Sequence, residues 1–573
     1  MCRIYGYAGP AFDVALLAAA RDAQLPGGPD HQRHVVGDGW GLGCNRLSIQ
    51  DPSSGSQPFR DADGSVHLVF NGEIYNFRAI RQELARHGVH VDGDSDGSVL
   101  LPYYELHGDS FVDRLEGMYA IAVMDRGRLK LWCDPLAVKS LYYAVTDGGL
   151  AFASEPRGLA ALVKRPLDVD PLAVDHYFNW QCMPSGSSLY QGVHSLQAGE
   201  RLVYDGTTVV VQRPAEDGFS PGPHTPSGLQ ALLRHEVGQM SLPSTPIAVQ
   251  VSGGLDSAVL ATLLRERRDD VTGFHVRHEG DHPSDEVSYA RAAASFAGIP
   301  LQVVEVREAE LPSLIPAMVT ALGSPNATPH ALSAYLLFRE ISAAGFRVCF
   351  IGDGADEQFG GYRRYSTALA AGDDWPQRYL DRLSLVPEQE YRQLYTAEYR
   401  SLVDAGTSSR EQQLSLLRRP ARSRLEQLLD FDRLYKLPSL NLRKLDHLSM
   451  AHSVEGRVPY CQPAITRFAR RTDDALKVSG SARKQILWDA GVDLIPSSVR
   501  SRAKQPFTFP VSAYLAAGGP LWDFVRDVLA RPSLVTSGYL AGPALRQLIA
   551  EHGEGKDHAR LLWGLMVLEL SLP

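Results

Sequence analysis

Pro246-Ile-Ala-Val-Gln-Val-Ser-Gly-Gly-Leu-Asp-Ser257, running on into Ala258-Val-Leu-Ala-Thr-Leu-Leu264, decides how this chain is read. Ile247–Val251 is short, largely apolar and β-branched, as a strand buried in a parallel sheet should be. Ser252, Gly253 and Gly254 make a tight turn, and Asp256 and Ser257 stand where a helix begins. Glycines lack a Cβ, so backbone N–H groups can close on an anion, and the helix N-terminus adds partial positive charge. The stretch predicts a phosphate cradle. It is not a Walker loop, because the Gly-Lys-Ser/Thr ending is missing. Gly-Gly alone would suit any strand–helix turn, but the whole string Ser252–Ser257 is far more specific.

The pattern repeats downstream. Strands are predicted at Val271–Val276, Leu301–Val306 and Arg347–Ile351, with a helix from Asp285 to Ala297. Such alternation predicts a parallel, doubly wound sheet. The last strand delivers Gly352-Asp-Gly-Ala-Asp-Glu-Gln-Phe-Gly-Gly-Tyr362 at its carboxyl end, where these sheets bind ligands. Three carboxylates beside glycines suit Mg²⁺, although a solvated acidic turn has the same composition.

Ser252–Ser257 resembles the PP-loop of the ATP pyrophosphatases, which split ATP between the α and β phosphates and adenylate a substrate. The resemblance implies that Val251, Ser252, Gly253, Gly254, Leu255, Asp256 and Ser257 bind ATP and that Asp256 ligates Mg²⁺. Gly352–Tyr362 resembles the corresponding motif of asparagine synthetases. That implies Mg²⁺ at Asp356, nucleotide contact at Ile351 and Gly352, and adenine along Phe274–Val276, though Val276 reads equally well as strand core. Asp353 stands where the family has a Glu associated with amidation, and Ile351 replaces a Ser. Lys444 to Tyr460 resembles a further segment of the same family, ending in Cys461-Gln462 where Leu-Asp is usual. Arg483-Lys-Gln-Ile-Leu487 matches a segment whose lysine contacts phosphate, which implies that Lys484 stabilises departing pyrophosphate. Arg502 and Lys504 match a basic element near the same site. From Tyr365 onward the pattern is mainly helical.

Upstream, Cys2 follows the initiator Met. Met removal would leave a cysteine whose α-amine, with an ordinary pKa of roughly 8, can deprotonate its own thiol. Position alone favours an incidental terminal cysteine. Asn45-Arg-Leu-Ser-Ile-Gln-Asp51, Gln57-Pro-Phe59, Asn71-Gly-Glu-Ile-Tyr-Asn76, Asp94-Ser-Asp96 and Phe152-Ala-Ser-Glu155 reverse that judgement. With Cys2 they resemble the glutaminase domain of class II amidotransferases, an N-terminal-nucleophile hydrolase, over residues 2–200. The resemblance implies that Arg46 takes the glutamine α-carboxylate with a bidentate fork, while Glu73 and Asp96 take its α-ammonium. Asn71 and Gly72 can form an oxyanion hole; Asn-Gly is also a hairpin-turn pair, and one pair could serve both purposes. The family's His-Arg-Gly-Pro-Asp appears as Pro26-Gly-Gly-Pro-Asp30, its Arg-Asp-x-x-Gly as Cys133-Asp-Pro-Leu-Ala137, and Ser98 replaces a carboxylate. Strands are predicted at Val66–Asn71, Ala120–Asp125, Leu129–Cys133 and Leu141–Thr146, and helices at Phe77–His87 and Gly97–His107.

The 573 residues suffice for several domains, and 44% hydrophobic with 21% charged residues is ordinary for a globular protein. A net charge of -9 argues against a general nucleic-acid binder. No apolar run is long enough to span a bilayer, the N-terminus has no signal-peptide core, and the six scattered cysteines suggest neither zinc nor a disulfide framework. A cytoplasmic setting fits best. The expectation is an α/β and α+β protein: a glutaminase sandwich over 2–212, a linker over 213–226, and a PP-loop synthetase domain with a helical C-terminal part over 227–573. By resemblance to glutamine-dependent asparagine synthetase, it hydrolyses glutamine at Cys2 and uses the ammonia to amidate a carboxylate activated with ATP and Mg²⁺. Aspartate is the default acceptor. A specialised natural-product or peptide carboxylate is the rival, and an ATP-dependent cyclase a third reading. The expected partners are small molecules, with no nucleic acid or membrane, and a homodimer is allowed.

Overall fold

The computed structural model describes residues 2–573 except 11, 52–54, 147, 164–165, 214–221, 223, 242–244, 281, 283–284 and 502–508. Arg502 and Lys504 therefore lie outside the described residues. Among the described residues, the N-terminal part contains twelve strands: β1 (Cys2–Ala8), β2 (His31–Gly37), β3 (Trp40–Arg46), β4 (Phe59–Arg60), β5 (Val66–Ile74), β6 (Gly117–Asp125), β7 (Arg128–Cys133), β8 (Tyr142–Thr146), β9 (Gly149–Ala153), β10 (Val193–Ser195), β11 (Arg201–Tyr204) and β12 (Val209–Gln212). They form two six-stranded sheets of order β10-β8-β9-β1-β3-β2 and β12-β11-β7-β6-β5-β4. Ile4, Leu42 and Phe152 of the first meet Val69, Ala122 and Leu131 of the second in one buried layer. The outer faces are covered by helices, Val14–Ala23 and Pro156–Leu162 on one side, Phe77–Arg86 and Leu100–His107 on the other. This is the expected αββα sandwich.

Two local expectations are corrected. Asn71-Gly72 is not a hairpin turn; it lies inside β5, paired with Ala120 and Tyr119 of β6. Gly72 keeps φ at +151°, and a Cβ there would come within 2.0 Å of the Met118 carbonyl oxygen. The residues read as one helix from Gly97 begin instead as a 3-10 turn, Asp96–Val99, before the helix Leu100–His107.

The second part is built on a parallel sheet of β13 (Ile247–Gln250), β14 (Val271–His278), β15 (Leu301–Val306), β16 (Val348–Phe350) and β17 (Glu455–Arg457). Its order is β15-β14-β13-β16-β17. The chain leaves β13 in one direction for β14 and β15, then returns to its other side for β16. The topological switch point therefore lies between the carboxyl ends of β13 and β16, where such sheets bind ligands. Helices Leu255–Arg265 and Val287–Ala297 pack together over this sheet, as do Leu311–Leu322, His330–Ala343 and Arg443–Met450. The helix leading to β13 starts at Pro226, capped by the Thr225 side chain, so the end of the predicted linker belongs to it. Proline suits that first position because its missing N–H has no helical partner to lose. No helix among the described residues is long and apolar enough to cross a membrane.

The two parts meet over buried charge. The Arg3 guanidinium lies 2.6 Å from Glu155 Oε1 and 2.7 Å from Asp446 Oδ2, and Lys139 Nζ lies 2.9 Å from Asp446 Oδ1. All four side chains are at most 4% exposed. Burial opposes ionisation of Asp446, but Arg3 and Lys139 more than offset it and hold the carboxyl below the ordinary range. The helix Ala173–Trp180, which precedes the predicted linker, packs into the second part: Tyr177 Oη donates to the Gly564 carbonyl at 2.8 Å. Asp446→Ala leaves two buried cations without their shared anion, and should reduce stability by about 3–5 kcal/mol, read as a lowered denaturation midpoint. Because the Asp446 pKa is depressed on folding, its wild-type contribution is present above the unfolded pKa, near 4. It is lost as pH falls below that, so the gap between wild type and variant should shrink in acid.

Candidate active site

Cys2 opens β1 with its thiol between the sheets. Its backbone N–H donates to Asn71 Oδ1 at 3.1 Å, and Gln57 Nε2 donates to its Sγ at 3.4 Å. Burial pushes the thiol pKa up, but a hydrogen bond from Cys44 and then the positive charges of the chain's amino terminus and Arg46 outweigh it and leave it lowered. Asn71 Nδ2 is buried with no hydrogen-bond partner among the described residues. A buried amide N–H pair without an acceptor is costly, so it fits a site where an oxygen of a bound molecule completes it.

The other predicted N-terminal residues converge on the same place. Arg46 pairs across the strands with Cys2, and its Nη2 donates to the carbonyls of Gln50 and Asp51 at 3.1 and 2.9 Å. Ile74 N–H donates to Asp96 Oδ2 at 2.9 Å, and Gln50 Nε2 donates to Glu73 Oε2 at 2.7 Å. Burial raises the Asp96 pKa to about 6. Burial, reinforced by Glu455 and Asp96, pushes Glu73 well above the usual carboxylate range, although Arg457 of β17 stands 3.5 Å away. Two buried carboxyls of this kind suit an incoming ammonium, which would favour their ionised forms. The sequence marks Gln57 only as part of the Gln57-Pro-Phe59 string, and nothing in that string points to its contact with the thiol.

The second constellation lies at the switch point, around a cavity of about 890 Å³. Ser252, Gly253, Gly254, Leu255, Asp256 and Ser257 line it from the β13 side, and Ile351, Gly352, Asp353 and Asp356 from the β16 side. Gly253 has φ +74°, which favours glycine, and a Cβ there would meet Tyr289 at 2.6 Å. The Ser252 and Ser257 hydroxyls lie 3.0 Å apart, and Ser252 N–H donates to the latter at 3.0 Å, closing the loop. Lys484 Nζ sits 2.8 and 2.7 Å from the Asp256 carboxylate oxygens and 2.6 Å from Asp356 Oδ1. Burial works against the ammonium, but the two aspartates prevail and raise its pKa to about 12. Asp256 and Asp356 thus converge on one cation. As hard oxygen donors beside a phosphate-sized turn, they fit a Mg²⁺ ion shared with a nucleotide. Val251 and Val276 are buried in the hydrophobic core and do not line the cavity. Sequence reasoning assigned no individual role to His330, Lys436, Asn441 and Lys444, which line the far wall. Lys436 and Asn441 lie on a π-helix, Asp432–Leu442, interrupted by Pro438.

Residues 228–573 match the model of the asparagine synthase family, and residues 1–213 that of the glutamine amidotransferase domain. The chain belongs to the asparagine synthase family. A putative glutamine-hydrolysing asparagine synthetase of Mycobacterium bovis is 30% identical over 99% of this chain and 95% of its own length. Asparagine synthetase 1 of Bacillus subtilis is 26% identical over 94% and 90%. An amidase of Penicillium rubens, chyE, is 29% identical over 61% of this chain and 55% of its own. The chain is thus a ligase-family protein with the amidotransferase organisation of its relatives, and ATP use is implied by the family.

Against that family, the departures have visible surroundings. A Cβ on Gly27 would lie 2.6 Å from Arg3 Cγ, so the Arg3 side chain fills the space beside it. Asp30, in the same segment, receives Arg347 of the second part at 2.5 and 3.3 Å. Cys461 Sγ lies 3.6 Å from the Asp353 carbonyl and Gln462 is fully buried. The Asp353 carboxyl is raised by burial. Since a neutral Asp96 cannot neutralise an ammonium, kcat/KM for glutamine hydrolysis should fall as pH drops through about 6. Asp96→Asn should raise KM for glutamine and remove that dependence. Asn71→Ala should lower kcat about 10²–10³-fold with a smaller change in KM.

Proposed function

We propose that this protein is a glutamine-dependent amidotransferase that amidates an ATP-activated carboxylate, with aspartate as acceptor and asparagine, AMP and pyrophosphate as products. One observation carries the reading: Arg3, the residue after Cys2 in β1, pairs at 2.7 Å with Asp446, which lies two residues along one helix from Lys444 in the wall of the cavity that holds Asp256 and Asp356. After Met1 removal the Cys2 thiolate attacks the glutamine side-chain amide. Asn71 Nδ2 and Gly72 N–H hold the developing oxyanion, while Arg46, Glu73 and Asp96 fix the amino-acid end. Ammonia leaves, and water releases glutamate from the thioester. Ammonia then passes to the second site inside the protein, because outside it would be protonated and no longer nucleophilic.

At the second site the Ser252–Ser257 loop holds the phosphates of ATP. The acceptor carboxylate attacks the α-phosphorus, and pyrophosphate departs toward Lys484. Asp256 and Asp356 would hold Mg²⁺, which neutralises phosphate charge when bound. Ammonia attacks the acyl-adenylate, releasing AMP. A second reading, an acceptor other than aspartate, is supported by the cavity's far rim. Arg382 and Arg560 line it, and neither forms an ion pair among the described residues. Two relatives named amidases, of Penicillium rubens and Gibberella zeae, are in keeping with it.

Purified protein supplied with glutamine, aspartate, ATP and Mg²⁺ should form asparagine and pyrophosphate in equal amounts. Cys2→Ala should abolish synthesis from glutamine while ammonium salts still support it. Glutamine hydrolysis without any asparagine would overturn aspartate as acceptor and leave the second reading. Indifference of product formation to both Cys2→Ala and added ammonium would overturn the amidotransferase reading itself.

A further inference from the structure

The helix Arg443–Met450 carries a lysine that the scheme above leaves without a task. Lys444 is 6% exposed, lines the large cavity, and places Nζ 2.7 Å from His330 Nε2. Two basic side chains rarely share so short a contact when both are charged, because like charges at that distance repel strongly away from bulk water. At least one of the pair is therefore neutral. The groups around Lys444 come from several elements: Asp353 and Glu357 from the loop and helix after β16, Lys436 from the π-helix, and Cys182 from the seam. Burial lowers the Lys444 pKa to about 8, even though Asp353 pulls it upward, and burial with the nearby lysines drives His330 well below its ordinary value.

Lys444 also closes a second, smaller void. Cys182, Leu322, Asn326, Ser439, Arg443 and Lys444 surround about 10 Å³, room for one small molecule such as water or ammonia. That void reaches the seam, because Arg443 Nη1 donates to the Met183 carbonyl at 3.0 Å and its Nη2 to Ser195 Oγ at 3.2 Å, both in the stretch before the linker. Lys444 thus stands between a small space on the seam side and the cavity that also holds Asp353.

We propose that Lys444, positioned by His330, is the base that takes the proton shed by the attacking nitrogen when the amide forms. The proposal rests on the reading that an acyl-adenylate is amidated in this cavity. The balance is simple. Ammonia forms the C–N bond, and the C–O bond to the adenylate breaks with its electron pair leaving on the AMP phosphate. One proton moves from that nitrogen to the Lys444 amine. A neutral Lys444 that donates N–H to His330 Nε2 keeps its lone pair free for a proton from the cavity that it lines, and the ammonium formed after transfer keeps the same acceptor. Asp353 faces that ammonium and stabilises it.

Two measurements on the full-length protein test this, and only one needs the acceptor. Trace labelling of amines with fluorodinitrobenzene across pH, with the Lys444 peptide quantified, should show half-reaction near pH 8. A Lys444 that reacts only above pH 10, like an exposed lysine, would overturn the proposal whatever the acceptor is. With aspartate, ammonium chloride and ATP, Lys444→Arg keeps the charge but cannot accept a proton. The ratio of amide to pyrophosphate should then fall about 10²-fold or more, while pyrophosphate is still released and the adenylate is lost to water. Hydroxylamine, a nucleophile that is unprotonated at neutral pH, should restore acyl transfer as the hydroxamate. His330→Ala should move the pH midpoint of amide formation, and His330→Gln, which retains a hydrogen-bond acceptor, should partly restore it. Full amide synthesis by Lys444→Arg would overturn the proposal. No pyrophosphate from wild type with aspartate would instead count against aspartate as acceptor, and the labelling result would then decide the role of Lys444.

Discussion

Asp446 is a buried anion held between two buried cations, Arg3 and Lys139, that lie hundreds of residues away in the chain. Taking any one of these charges out of water alone is expensive, and the attraction offsets that only when all are in place. The seam is therefore close to all-or-none: a partly docked interface would strand a charge. One turn of the helix Arg443–Met450 gathers the consequences. Arg443 reaches back to Met183 and Ser195, Lys444 enters the cavity, Asp446 takes Arg3 and Lys139, and His447 Nδ1 meets the Leu322 carbonyl at 2.5 Å. Because these side chains leave one rigid helix, fixing the seam also fixes the wall of the cavity.

A second tie runs through the sheet itself. Arg457 ends β17, directly beside β16, whose carboxyl end carries Gly352 and Asp353. Its guanidinium bonds Glu455 at 2.5 Å and faces Glu73 in the group around Cys2 at 3.5 Å. A change in the charge of Glu73, such as an arriving ammonium would cause, is thus felt by a group on the edge strand of the parallel sheet. Arg3 belongs to the same logic. Its side chain occupies the space left by Gly27, so a segment that departs from the family pattern still has a buried guanidinium beside it, supplied from β1.

Local sequence was enough for most of what local geometry determines, the 3-10 turn at Asp96–Val99 being an exception. The strand–turn–helix at Ile247–Leu264 and the strands of the N-terminal sandwich were legible because glycine turns and period-two alternation act within a few residues, whereas the grouping of Cys2, Arg46, Asn71 and Asp96 was legible only through the resemblance of their motif strings to a known family. What depends on tertiary placement was not. Asn71-Gly72 looks like a turn because that pair favours positive φ, yet here the positive φ serves a close approach to Met118 inside a strand. His330 and Lys444 are 114 positions apart and carry no shared pattern. The helix Ala173–Trp180 precedes every linker signal but packs in the core of the second part, since its apolar face is covered there by residues such as Tyr391 and Tyr395.

Lys484 shows how the remaining geometry is set by what is missing from a neighbour. Its backbone sits at φ +54°, a left-handed conformation that an L-residue adopts at some cost. It also starts the helix Gln485–Ala490, so the chain turns sharply just as the ammonium is presented to Asp256 and Asp356. Gly361 is what makes the approach sterically open: a Cβ there would lie 1.6 Å from Asp356 Oδ1 and 2.1 Å from Lys484 Cε. Gly361 has a negative φ and needs no special conformation, so its place in the Gly-Gly-Tyr string follows from space alone. Any larger residue would push the lysine and the aspartate apart, and with them the two loops that meet at the switch point. Of the two glycines, Gly361 is thus the clearance around the ion pair, while Gly360, at φ +75°, supplies the turn and packs against Val478.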